Sequence, residues 1–406
     1  MWQIVINIAF LIFGYLLGSV NPGYIFGKLK GIDIRELGTK NAGTSNTYRV
    51  LGIGYAIPTA IYDTLKGVSI VLITLSLGID PFYAHLSGIM AIIGHIFPFY
   101  LRFKGGQGVA AATGLLLYYL CLYFTINPWF FLLLPYLLLI VAIFYYIARI
   151  GNLLGVMVLP VLAYAVWITY PFNIENIFFT IILAQIVAIG IYNIIDRKLF
   201  RIEDEDFQTR YWRVITRPFA FLFIIFFIIL GQFTTLMIIG IVACVFIILD
   251  ILRIFHKKSD ALMTERAKRV YREEERKTFS SMTTFLVALF ISVLLFEKNI
   301  AIASSVFLIF GDSFGKIFGL AFGKKWIIKH KKSLEGTLAY IGAMLIFGYI
   351  LYTSLDLSLW ILIIGCLTAP LVELLSMGVN DNLTVPIISG AIMTVAYLWE
   401  FNLILL

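Results

Sequence analysis

What most limits the fold of this chain is its succession of apolar runs, each roughly 17–22 residues long and separated by short polar loops. A helix of that length crosses the hydrocarbon core of a bilayer and satisfies its backbone hydrogen bonds internally. Seven such runs lie near 2–24, 54–78, 83–101, 109–126, 129–148, 152–171 and 175–195. Seven more lie near 216–231, 233–252, 279–296, 299–320, 337–353, 357–377 and 384–403. The expected fold is therefore all-α: a polytopic integral membrane protein with about 14 transmembrane helices in two seven-helix halves. Composition agrees, since 61% of the 406 residues are hydrophobic and only 13% are charged. A soluble domain carries about twice that share of charge. The first run has no basic segment before it and no small-x-small cleavage site, so it reads as a span and not a signal peptide.

Loop charge gives an orientation. With the N-terminus outside, alternate loops carry Lys28 to Arg49, Arg102 with Lys104, Arg149, Arg197 to Arg217, Arg253 to Lys277 and Lys316 to Lys332. The opposite loops hold only Lys298 of the 31 lysines and arginines. That asymmetry places the basic loops on the cytoplasmic side of a cell (inner) membrane, with both termini outside. Trp129, Trp360 and Trp399 fall near span ends, as interface anchors do. The net charge of +8 then reflects positive-inside bias and attraction to anionic lipid, with no implied nucleic acid. Cys121, Cys244 and Cys366 are isolated within apolar runs, and the four histidines show no ligand spacing.

The charged stretch 196–213 separates a domain at 1–200 from one at 210–406. Residues 201–278 hold this linker, two spans and a second hydrophilic stretch that opens the second domain. In that stretch, 253–278, Leu262, Met263, Ala267, Val270 and Tyr271 recur at helical spacing, which fits a helix on the cytoplasmic leaflet or a solvated linker helix. The halves share no motif, so an inverted-repeat transporter gains nothing from internal similarity.

Two stretches carry chemistry in the first half. GTKNAGTSNTYR (38–49) lacks hydrophobic periodicity and combines two glycines, two asparagines, hydroxyls, Lys40 and Arg49. FKGGQG (103–108) is a glycine-rich turn with Lys104 beside it. Backbone N–H groups free of side-chain bulk, with cations nearby, make an anion cradle, so the two turns are expected to meet and hold a phosphate. Asp63 and Lys66 lie three residues apart within a span, sharing a helix face. Such a pair is either functional or a packing lock. There is no GxSxG, and Tyr100 occupies the aspartate position of an HxxxxD pattern starting at His95. The site therefore reads as one that stabilises phosphate charge and positions a hydroxyl, without a protein nucleophile.

GSVNPGY (18–24), KLKGIDIRELGTKNAGTSNTYRVLG, DTLKG (63–67) and GHIFPFYLRFKGGQGVAAATG resemble, in order and spacing, the bacterial acyl-phosphate-dependent glycerol-3-phosphate acyltransferases over residues 1–200. The resemblance implies seven spans, a cytoplasmic-face site, and acyl transfer from acyl phosphate to the 1-hydroxyl of glycerol 3-phosphate. The product would be lysophosphatidate, formed in phospholipid biosynthesis without a cofactor or protein base. It implies that Ser19, Thr39, Asn41, Thr44, Ser45, Asn46 and Arg49 line the substrate site. Lys104, Gly105, Gly106 and Gly108 would hold a phosphate, with Asn193 catalytic and Asp63 and Lys66 beside the substrate. Three positions depart from the pattern: Gln107 replaces the second lysine of KGGKG, Asn152 stands at an expected serine, and Gly190 occupies the histidine position of an HxxNI motif. The last change removes one implied phosphate contact. It leaves a weakened enzyme, one with a shifted donor, or a paralogue with another role.

In the second half, GDSFGKIFGLAFGK (311–324), KKSLEGT (331–337) and VELLSMGVNDNLTVP (372–386) cluster on the same side. Asp312 lies within an apolar run, where a bound Mg²⁺, or simple pairing with Lys316, would account for it. Lys332, Ser333 and Gly336 are candidate nucleotide-phosphate contacts, and Asp381 and Asn382 further ligands. Together these strings resemble the CTP-dependent dolichol, phytol and diacylglycerol kinases over roughly 210–406, with RYWRVITR (210–217) and EERKTFSS (274–281) at that family's basic motifs. The resemblance implies Mg²⁺, CTP as substrate and a lipid acceptor. Two further readings stay open: a transporter or flippase of a phosphorylated lipid or polyol, and a lipid kinase regulated by a non-catalytic first half.

Overall fold

The computed structural model of the chain describes residues 2–200, 217–255, 278–328, 332–375 and 380–405. The expected break at 196–213, the surface helix at 253–278 and the basic strings at 210–217 and 274–281 lie mostly outside the described residues. Two compact units emerge: residues 1–139 with 150–199, and 140–149 with 200–406.

The first unit is built on α1 (Trp2–Ser19), α4 (Ile53–Ser76), α5 (Pro81–Ile96), α6 (Val109–Ile126), α7 (Leu133–Ala148, its last turns in the second unit), α8 (Gly151–Thr169) and α9 (Ile174–Asp196). Two short helices, α2 (Pro22–Leu29) and α3 (Thr44–Leu51), complete it. The apolar run expected over 2–24 is broken. Pro22 has no N–H to donate into a continuing helix, and Asn21 takes extended dihedrals, so α1 ends at Ser19 and the chain restarts as α2. α1 and α5 lie almost backbone to backbone, because a side chain at Gly14, Gly18 or Gly94 would strike the facing helix.

α4 overhangs its neighbours. Lys66 lies thirteen residues into it, ~20 Å at 1.5 Å per residue, yet its Nζ reaches the carbonyl of Gly18 at the end of α1. α2 and α3 pack against α4. The stretch 38–49, expected as a loop, is helical from Thr44 onward, with Gly43 as its N-cap.

The second unit contains α10 (Phe221–Phe255), α11 (Ser281–Leu295), α12 (Lys298–Val306), α13 (Asp312–Phe322), α14 (Leu334–Ser354), α15 (Leu359–Leu375) and α16 (Asp381–Leu405). α10 breaks at Gly231, whose φ of 80° and ψ of 176° no helix contains, so it answers to the two runs expected there. α12 and α13 form one span through a π-turn at Phe307–Gly311, where the Tyr340 hydroxyl donates to the Phe307 carbonyl at 2.8 Å. A two-stranded antiparallel sheet, β1 (Trp326–Ile328) with β2 (Lys332–Ser333), is an addition to the all-α expectation. Among the described residues, eleven helices are long and apolar enough to cross a bilayer, counting 217–255 once, and Ser281–Leu295 and Leu359–Leu375 are shorter apolar helices. Dividing α10 at Gly231 gives fourteen, seven in each half. The fold is an all-α polytopic membrane protein.

Candidate active site

The two turns of the first unit meet. Ala42 N–H donates to the Gly105 carbonyl at 3.1 Å, while Gly105 N–H and Gly106 N–H donate to the carbonyls of Ile96 and His95 at 3.0 Å. The loop is knitted from within by Asn46, which is fully buried. Its Nδ2 donates to the carbonyls of Ile34 (2.6 Å) and Asn41 (2.8 Å), and its Oδ1 accepts from Thr39 N–H (2.6 Å). Asn41 Oδ1 accepts from Gly43 N–H at 3.0 Å. Asn41 and Asn46 thus shape the backbone first, which a polar sequence pattern cannot reveal.

Arg35 clamps the second turn. It is held by Asp33 at 2.8–3.0 Å, and its Nη1 donates to the Leu101 carbonyl at 3.0 Å and the Lys104 carbonyl at 3.4 Å. The hydrogen bond from Arg35 lowers the Asp33 carboxyl to about 2.

A cavity of about 500 Å³ opens against these turns. Thr39, Lys40, Asn41 and Arg49 of the first loop line it together with Gln107 of the second turn and Tyr192, Asn193, Asp196 and Arg197 at the end of α9. Asn193 and Gln107 hold each other through their amides, at 2.9 and 3.3 Å. Gly190 lies against α8: a side chain there would meet the Asn152 carbonyl and Val156 at 3.2 Å.

Among the expected site residues, the cavity gathers Thr39, Asn41, Arg49 and Asn193. Lys104 and Ser45 are exposed and are not among its lining residues. Ser19 is buried, its hydroxyl donating to the Tyr15 carbonyl at 2.8 Å. Asp63 and Lys66 are buried behind the turns, Asp63 Oδ1 accepting from Lys66 at 2.9 Å and Oδ2 from Thr44 at 3.2 Å. Tyr192, Asp196 and Arg197 are additions. Arg197 stood in the sequence as one more basic-loop residue, and only the end of α9 turning toward the loop gives it a place in the cavity.

The model of the glycerol-3-phosphate acyltransferase family matches residues 8–199. Those residues belong to that family. A glycerol-3-phosphate acyltransferase of Shouchella clausii is 50% identical over 115 residues, 28% of this chain and 56% of the relative. One from Halalkalibacterium halodurans is 47% identical over 118 residues, covering 28% and 54%. The aligned segment thus spans little more than half the length of these curated acyltransferases. A crystal structure of an integral membrane glycerol 3-phosphate acyltransferase in its glycerol 3-phosphate form is 30% identical, covering 48% of this chain and 92% of that one, with a TM-score of 0.38.

The second unit has its own charged centre, apart from residues 8–199 in sequence. Carboxylate oxygens of Asp312, Glu373 and Asp381 lie within 4.8 Å of one another. Arg217 and Lys316 pair with Asp312, the latter at 2.7 Å, while Lys332 pairs with Glu373 and, at 3.4 Å, with Asp381. Asn382 Oδ1 accepts from Arg217 at 3.0 Å. Ser333 caps α14, its hydroxyl accepting from Gly336 N–H at 3.2 Å, and Gly336 packs against Gly315 and Gly319. Glu373 and Arg217 enter this centre without having been singled out in the sequence: Glu373 lies eight residues before Asp381, and Arg217 ends a basic string whose other residues are not described.

Proposed function

We propose that residues 1–200 form an acyl-phosphate:glycerol-3-phosphate acyltransferase acting at the cytoplasmic face of the cell membrane. The observation that carries this is the Ala42–Gly105 bond, which makes one wall of the two turns beside a cavity lined by Lys40, Arg49 and Arg197. Three cations beside turns held rigid by their own N–H bonds suit two phosphate-bearing substrates held together. Their work is positioning and charge stabilisation, worth several kcal/mol when donors are preorganised. The glycerol oxygen bonds to the acyl carbon, the acyl–phosphate bond breaks, and the departing phosphate takes the hydroxyl proton. Asn193, fixed by Gln107, lines the same cavity as Arg49 and would orient the acceptor. Purified protein given acyl phosphate and glycerol 3-phosphate should release phosphate and lysophosphatidate in equal amounts. Phosphate release that ignores glycerol 3-phosphate would refute the assignment.

For the second unit we propose a CTP-dependent lipid kinase, on the strength of the three clustered carboxylates ringed by Arg217, Lys316 and Lys332. Oxygen donors from three separate helices fit a hard divalent cation, so Asp312, Glu373 and Asp381 would hold Mg²⁺. When bound it neutralises charge on the transferred phosphoryl group. Lys316, Lys332 and Arg217 would bind the remaining phosphate oxygens of CTP, and Asn382 keeps the Arg217 guanidinium oriented. Label should pass from γ-labelled CTP to a membrane lipid, and Asp312→Asn should abolish transfer. No transfer to any extracted lipid would remove this reading.

A further inference from the structure

Behind the two turns, three polar side chains sit inside the helix bundle with at most 2% of their surface exposed: Asp63, Lys66 and His95. Lys66 Nζ lies 2.6 Å from His95 Nδ1, 2.9 Å from Asp63 Oδ1, and 3.0 and 3.3 Å from the carbonyls of Gly18 and Val20, which flank Ser19. Asp63 also accepts from Thr44 at the start of α3.

These distances fix a tautomer. An ammonium has three donors and no lone pair. Beside a carboxylate and two carbonyls, which only accept, Lys66 stays an ammonium. Asp63 Oδ1 lies 3.3 Å from the same Nδ1, but the ammonium at 2.6 Å is the nearer partner and needs a lone pair there, so we assign the His95 proton to Nε2. That nitrogen is aimed at Gly106: a side-chain carbon there would collide with it. The His95 carbonyl meanwhile accepts from Gly106 N–H at 3.0 Å. Among the described residues no acceptor meets Nε2–H. A buried imidazole donor thus lies, without a protein acceptor, against Gly106 of the second turn, where only a glycine leaves room for the ring.

We propose that His95 is a ligand-contacting residue whose Nε2–H donates to a phosphate oxygen held at Gly105–Gly108, with Lys66 and Asp63 as positioning residues that set its tautomer. This rests on the acyltransferase reading of residues 1–200. The oxyanion belongs to either glycerol 3-phosphate or acyl phosphate, and measuring KM for each tells them apart.

Two variants separate a ligand contact from a packing role. His95→Asn keeps an acceptor where Nδ1 meets Lys66 but has nothing at the Nε2 position. His95→Gln places an N–H near Nε2. The full-length protein is assayed for acyl transfer, for inhibition by inorganic phosphate, and for the rise in melting temperature that inorganic phosphate gives. His85→Gln is the folding control: His85 lies ten residues earlier on α5 and bonds Tyr119 at 2.9 Å. A hydrogen bond to a charged group predicts about a ten- to hundredfold higher KM for one phosphate substrate, and weaker inhibition by phosphate, in His95→Asn. His95→Gln should recover most of that, and His85→Gln should lower the melting temperature with KM unchanged. Phosphate affinity unchanged in His95→Asn, or lost equally in both His95 variants, overturns the proposal. Wild-type protein that binds phosphate through His95 but transfers no acyl group overturns the acyltransferase reading and leaves this contact standing.

Discussion

The two units bury charge in opposite ways. In the first, Asp63 and Lys66 have no exposed side-chain surface, and each is bonded on several sides. In the second, Lys332 and Asp381 keep 23% and 27% of their side-chain surface, and three carboxylates share three cations. A sealed pair cannot exchange partners, so its effect is to hold backbone segments in register. An open cluster can trade an internal ion pair for a ligand, because water already reaches part of it. Burial of charge in a membrane protein is thus not one signal: a sealed set holds structure, and an open set has room to take a ligand.

That contrast can be broken most forcefully at Lys66. Lys66→Met leaves Asp63 buried without its cation and should cost about 3–5 kcal/mol, read as a lower melting temperature in detergent. Adding Asp63→Asn removes the stranded charge and should restore much of the stability without restoring acyl transfer. In the open cluster, Asp381→Asn should lower the melting temperature far less than Lys66→Met while abolishing phosphoryl transfer. An equal stability loss at both positions would erase the distinction. A smaller effect is expected at the Asp33–Arg35 clamp. The Asp33 carboxyl sits at about 2 against an ordinary 3.8, so its stabilisation is present above pH 4 and disappears as pH falls toward 2. Asp33→Asn should cost about 2 kcal/mol at neutral pH, and the two melting curves should converge near pH 2. The smallest change belongs to Gln107→Ala, which unpairs Asn193: a severalfold loss of acyl transfer, with stability within about 1 kcal/mol.

Helices long enough to span were legible because apolar length is a one-dimensional property. The end of α1 at Ser19 was missed because the apolar run continues to Tyr24, and only the Asn21–Pro22 geometry breaks it. Thr44–Leu51 carries no helical signature in the sequence because its first six residues are polar apart from the Tyr48 ring, so no stripe marks the helix. The turn sequences announced an anion site, and Asp63 with Lys66 announced a buried pair. That His95 joins them, and that Asp196 and Arg197 close the cavity, depends on how α5 and α9 meet the loops, which no local pattern encodes. In the second unit Asp312, Lys332 and Asp381 were legible singly. The triad with Glu373 was not, since it is assembled by the packing of α13, α15 and α16.

The most direct test of the claim that the joined turns form one oxyanion site is acyl transfer to radiolabelled glycerol 3-phosphate by purified wild type and Arg49→Ala. The account predicts labelled lysophosphatidate from the wild type and at least a hundredfold loss in the variant, about the effect of removing one preorganised charge-stabilising donor. Absence of product from the wild type, or equal rates from both proteins, would contradict it.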